Sequence, residues 1–227
     1  MREDLKKAFE NHDWSGKRGK APRSGPGSTL AATERLRTAL PQIFEQLKIR
    51  RFLDAPCGDW TWMQTVDLSQ LEAYHGADIS TSVIQDVSEK FTSDKVSFSV
   101  LDVCSDPLPA ADLIMCRECL FHLKHEAKWA FFQNALAADI AFIMFSIDHI
   151  RVNHDLLRNG GFRRFNPMME PFNFPLPLYY VHETTNQDMF DVYDPDLGHR
   201  QHRSMGIWTR EMIANAMPQS QPQQTSN

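Results

Sequence analysis

Between residues 50 and 148 short apolar runs alternate with amphipathic helical patterns, and no other feature of the chain restricts its fold as much. The runs RRFLDA, AYHGADIS, KVSFSVLDV, ADLIMCR and IAFIMFSID each read as a strand. Among them, TSVIQDVSEKF puts Val83, Ile84, Val87 and Phe91 on one helical face, HEAKWAFFQNALA is helical by pattern, and TWMQTVDL begins a short helix or turn. Strands that are apolar throughout are covered on both faces. The alternation therefore predicts a doubly wound α/β fold around a mostly parallel sheet.

The flanks behave differently. Residues 1–49 read as an N-terminal arm followed by helices. The stretch NHDWSGKRGKAPRSGPGS is polar and broken by Gly and Pro, so it has no core of its own. Trp14 and Arg23 would be wasted in solvent, which implies that the arm folds over something. Ser28 or Thr29 is placed to cap a helix carrying Leu30, Leu36, Leu40, Ile43, Phe44 and Leu47, and Pro41 should break or kink it. After residue 150 the rhythm fails. RNGGFRRFNPMMEPFNFPLPLYY is long and irregular, and the expected lid lies there, at about 151–180, inside a domain running from 50 to 217. YYVHETT, MFDVYD and SMGIWT are strand-like, and 218–227 is a polar tail expected to be disordered.

A net charge of −5 over 227 residues argues against a nucleic acid as the main partner. No apolar run approaches the ~20 residues of a membrane span, and MREDLKKAFE lacks the apolar segment of a signal peptide, so a cytoplasmic protein with no membrane partner is expected. Cys57, Cys104, Cys116 and Cys119 are too few and too clustered for a secreted disulfide framework. The Cys116–Cys119 pair has no second CxxC and reads as small side chains at strand ends. His182–Glu183 and His199 with His202 match no ligand spacing, so no metal is expected. Nothing in the sequence specifies an oligomeric state.

In an open parallel sheet the ligand lies beyond the carboxyl ends of the strands, where strand order reverses. The first strand delivers Asp54 and the turn Cys57-Gly58-Asp59 to that end, the second Asp78, the third Asp102. An acid after the second strand suits two ribose hydroxyls, and Asp102 with the Val103 amide suits a purine edge. Asp54 or Asp78 alone could simply cap a following helix. Pyrophosphate sites use several glycines at a helix start; this loop holds Gly58 and the acid Asp59. An acid repels phosphate and attracts a cation. The chemistry favours S-adenosylmethionine, a cationic nucleoside without phosphate, over NAD or ATP.

On LDAPCGDW, YHGADIS, FSVLDVCSDPLP and ADLIMCRECLFHL, taken in order over about residues 50–148, the chain resembles the class I S-adenosylmethionine-dependent methyltransferases. It looks most like a bacterial branch spelled DxPCGDxxWM, with Pro56 and Trp60 at two positions where DxGxGxG carries glycine. The resemblance implies the Rossmann-like class I methyltransferase fold, with S-adenosyl-L-methionine as cofactor. It puts Asp54 and Gly58 on the methionine portion, Asp78 on the ribose, Asp102 and Val103 at the adenine, and Arg117 near the transferred methyl. Pro56, Asp59, Trp60 and Ile79 complete the expected cofactor contacts, although Trp60 and Trp62 also read as packing. Ser28, Thr29 and Arg35 are candidates for the cofactor carboxylate, or else a capped helix with a solvated Arg. Arg117, Glu118 and His122 follow the fourth strand as candidate catalytic groups, His122 for its pKa, with a structural Glu118–His122 pair as the alternative. Arg163, Arg164, Asn166 and Phe172 on the lid are candidates for binding a small polar acceptor methylated on oxygen or nitrogen. A protein or RNA acceptor, or a non-catalytic cofactor-binding protein, is the alternative.

Overall fold

The computed structural model describes residues 3–10, 21–183, 193–194, 198–199 and 203–218. Five strands form the parallel part of the sheet: β1 Arg51–Asp54, β2 Ala73–Asp78, β3 Val96–Val100, β4 Leu113–Cys116 and β5 Phe142–Asp148. Two more close its far side, β6 Tyr179–His182 and β9 Arg203–Thr209, with β9 antiparallel to both β5 and β6. The order is β3-β2-β1-β4-β5-β9-β6, so direction of travel reverses between β1 and β4. A separate ribbon pairs β7 Tyr193–Asp194 with β8 Gly198–His199. The remainder of MFDVYD, Trp14, and the tail from 219 lie outside the described residues.

Side-chain alternation along the strands divides the core in two. Helices α2 Glu34–Gln46 and α3 Thr81–Phe91 pack Leu36, Phe44, Ile84 and Val87 against Phe52, Tyr74 and Leu113. Helices α4 His125–Ala137 and α5 Arg210–Ala216 pack Phe131, Phe132 and Ile213 against Leu53, Ile114 and Phe145 on the other face. Ser80 caps α3, its hydroxyl accepting from the Val83 amide at 3.3 Å.

Three expectations change. Pro41 does not break α2: the helix runs through it, because its apolar stripe of Leu36, Leu40, Ile43 and Phe44 is buried on both sides of the proline. The helix begins at Glu34, so Leu30 falls before it and is exposed. The segment 151–178 is irregular, yet Phe165, Phe172 and Phe174 are buried in the α4–β5 core against Trp129, Phe132 and Phe145. It is tied down by its aromatic rings and contributes no residue to the main cavity.

Candidate functional site

The carboxyl ends of β1, β2 and β4 open on a cavity of about 250 Å³, at the reversal in strand order. Asp54, Pro56, Gly58, Asp78, Ile79, Asp102 and Val103 all line it, as do Arg117, Glu118 and His122. Ten residues picked from separate runs of sequence thus meet in one place, and what brings them there is the parallel register of the strands.

Gly58 holds φ at +57°, and a side chain there would run into Ser24. Its amide donates to Asp78 Oδ2 at 3.2 Å, while the Ser80 amide donates to Asp78 Oδ1 at 2.9 Å. Burial nevertheless pushes the Asp78 carboxyl up, against these two hydrogen bonds. Asp54 is buried and accepts the Tyr74 hydroxyl at 2.7 Å; burial raises its carboxyl to about 7, and Tyr74 and Arg117 offset only part of that. Asp102 accepts the Cys104 amide and the Ser105 hydroxyl, both at 2.9 Å.

Two loop residues expected at the cofactor do not line the cavity. Asp59 is engaged by the protein: its Oδ2 accepts the Ser24 amide at 3.1 Å, its own amide donates to Ser24 Oγ at 2.7 Å, and its Oδ1 accepts Thr61. Trp60 is buried among Tyr74, Phe91 and Phe98, which an indole gains more from than from a wet rim. Trp62 instead reaches the cavity and lies under the Arg117 guanidinium, 5.5 Å from its ring centroid. Ser28 lines the cavity; Thr29 and Arg35 do not.

The wall that sequence reasoning missed comes from the N-terminal segment. Helix α1, Glu3–Glu10, buries Leu5 and sets Phe9 edge-on to His122 at 5.9 Å. Glu10 accepts the Thr81 and Ser82 amides, at 2.8 and 3.1 Å, at the N-terminus of α3, where helix and charge favour an anion. Arg23 pairs with Asp86 at 2.8 Å and with Ser82 Oγ at 2.5 Å. Gly27 O accepts from Arg117 Nη2 at 2.9 Å, and Gly27 lies so close to Glu118 that an added Cβ would sit 2.9 Å from Oε2. None of these residues falls in a periodic pattern that marks a site; only the isolated Trp14 and Arg23 hinted that the arm covers something.

At the end of β4, Arg117 Nε donates to Glu183 Oε1 at 2.7 Å. Glu118, in the left-handed region at φ 56°, donates its amide to Ser146 Oγ at 2.9 Å and pairs its carboxylate with Arg203. Its charge also acts on His122, whose ring hydrogen-bonds Gly161 O, 2.6 Å from Nδ1; a carbonyl only accepts, so Nδ1 carries a proton and Nε2 is the nitrogen that can take one.

The four residues expected to hold an acceptor lie elsewhere. Asn166 is buried, donating to Ile150 O at 2.7 Å, and Phe172 packs on Trp129 at 4.5 Å. Arg163 is exposed and donates to Phe162 O, and neither it nor Arg164 lines the cavity. Among the described residues no three metal-ligating side chains converge, and the side chains of His199 and His202 lie outside them. No helix among the described residues is long and apolar enough to cross a membrane.

No family model matches the chain, and no curated protein matches it. Solved structures do. The methyltransferase domain of bacterial CtHen1 is 12% identical at a TM-score of 0.55, over 78% of this chain and 99% of that one. The N-methyltransferase NodS from Bradyrhizobium japonicum is 11% identical at 0.54, over 81% and 98%. DhpI, solved as a complex with SAH, is 15% identical at 0.55, over 91% and 97%. At these identities the likeness is one of fold.

Proposed function

We propose that the chain is an S-adenosylmethionine-dependent methyltransferase acting on oxygen or nitrogen of a small polar acceptor. One observation carries the reading: the charge of the cavity wall. Glu10, Asp78, Asp102 and Glu118 line it, with the raised Asp54 beside them, against Arg23 and Arg117; both guanidiniums are engaged by carboxylates of the protein, as Glu118 is by Arg203. Such a wall suits a cation and disfavours a pyrophosphate. Asp78, Asp102 and Val103 line the same cavity, and in this reading Asp78 accepts from the ribose hydroxyls and Asp102 with Val103 meets the base. The buried Ser28 hydroxyl remains for the methionine carboxylate.

When bound, the sulfonium supplies a methyl group already activated for transfer to a lone pair on the acceptor. The protein's part is alignment and the handling of one proton. His122 lines the cavity with Nε2 as its basic nitrogen, and rings of Phe9, Phe121 and Phe162 surround it at 5.9, 4.6 and 5.9 Å, which limits water there. In this reading Nε2 takes the proton that the acceptor loses. Arg117 and Glu118 touch the same space and orient the acceptor. Calorimetric titration tests the cofactor: S-adenosylmethionine and S-adenosylhomocysteine should bind, NAD and ATP should not, and Asp78→Asn should weaken binding at least tenfold, the loss of a paired charged hydrogen bond. Binding of NAD or ATP alone would sink the reading.

A further inference from the structure

Beside the cavity, the ends of β4, β5, β6 and β9 bring five charged side chains together. Arg203 donates from Nη2 and Nε to Asp148 Oδ1, at 3.0 and 3.2 Å, and from Nη1 to Glu118. Arg117 pairs with Glu183 at 2.7 Å, each side chain only 6% exposed. Within this group three carboxylates face two guanidiniums, and His122 acts on Glu118 from beside it. One oxygen stands out. Glu183 Oε2 is buried and has no hydrogen-bond partner, although almost all buried polar atoms have one. Its carboxyl is pushed up by burial and again by Glu118, with Arg117 and Arg203 pulling the other way.

A buried carboxylate oxygen with no donor is costly unless a proton or a cation answers it. Arg117 and Glu118, the neighbours that act on Glu183, both line the cavity. The cation that visits that cavity, on the methyltransferase reading on which this step rests, is positive at sulfur before transfer and neutral at sulfur after it.

We infer that Glu183 is a specificity-determining residue that makes the site hold the methyl-bearing, cationic cofactor in preference to the neutral thioether product. Glu183 does so through its charge, acting past Arg117, and touches no reacting atom. The preference weakens the grip of the site once the methyl has gone, so product leaves more readily than substrate cofactor.

Binding alone tests this, without an acceptor. At pH 8, Kd is measured for S-adenosylmethionine, for S-adenosylhomocysteine, and for sinefungin, in which an amine-bearing carbon replaces the sulfonium. The wild type should bind the two cations roughly tenfold more tightly than the thioether, the scale of one partly screened unit charge. Glu183→Gln keeps an oxygen for Arg117 Nε and removes the charge; the ratio should fall towards one while affinity for the thioether changes little. Glu183→Asp should keep the ratio, and Asp148→Asn, which removes one charge from the other end of the group, should lower it. A ratio unchanged by both neutralising variants, or an equal loss for all three ligands in Glu183→Gln, overturns the assignment and leaves Glu183 a structural partner of Arg117. Failure of all three ligands to bind the folded wild type overturns the methyltransferase reading with it.

Discussion

Asp54 closes β1 in the wall of the cavity, and burial pushes its carboxyl from 3.8 to about 7. An acid raised in this way keeps its proton in the folded state over a range where the unfolded chain has lost it. Stability therefore declines as pH rises from about 4 to about 7 and stays reduced above that. Asp54→Asn keeps an acceptor for the Tyr74 hydroxyl and removes the titration. The variant should be more stable than wild type at pH 8, by up to about 4 kcal/mol at 1.36 kcal/mol per unit, with a smaller gain at pH 5. Denaturant midpoints at the two pH values check it, and an equal shift at both would contradict it. His122 was legible as a candidate from its residue type, but its tautomer was not, because Gly161 lies 39 residues away in an irregular segment.

Elements differ in how openly the sequence declares them. Helix α3 begins and ends where the apolar period starts and stops, since one of its faces packs against the sheet. The acids Asp54, Asp78 and Asp102 could be assigned to one crevice for the same reason: strand ends in a parallel sheet share an edge. The cover over that crevice could not be found this way. Its holds are single atoms on Glu10, Ser24 and Gly27, and its partners are 71, 35 and 90 residues distant. Nor could Glu183, which the sequence offered only as half of a weak metal pair. The cover has a measurable strength. Ser24→Ala removes the hydroxyl that receives the Asp59 amide, a loss of about 1 kcal/mol, and should speed S-adenosylhomocysteine dissociation roughly fivefold with little change in unfolding midpoint. Stopped-flow displacement reads the rate; an unchanged rate would mean the segment does not hold the ligand in.

The molecule is unified by Trp208. It is fully buried on β9, stacked on Phe145 of β5 at 4.3 Å, and donates from Nε1 to Pro175 O at 2.8 Å. One side chain thus joins the parallel part of the sheet, its antiparallel side and the aromatic coil of residues 165–174. Trp208→Ala should cost about 3–5 kcal/mol, and circular dichroism and fluorescence should still report one coincident transition. Transitions that separate would instead reveal two independently stable halves. The reach of the N-terminal cover has a consequence for how the protein is made. Gly27 emerges from a ribosome 90 residues ahead of Arg117, its partner across the cavity, a delay of about 5–20 s at ordinary rates of synthesis. During that interval the segment can reach Asp59 and the start of α3 but not its partner at the end of β4. A nascent chain halted before β4 carries every acid of the first three strands and still lacks the site, so ligand capture by arrested chains would mark the moment at which translation has supplied the last wall.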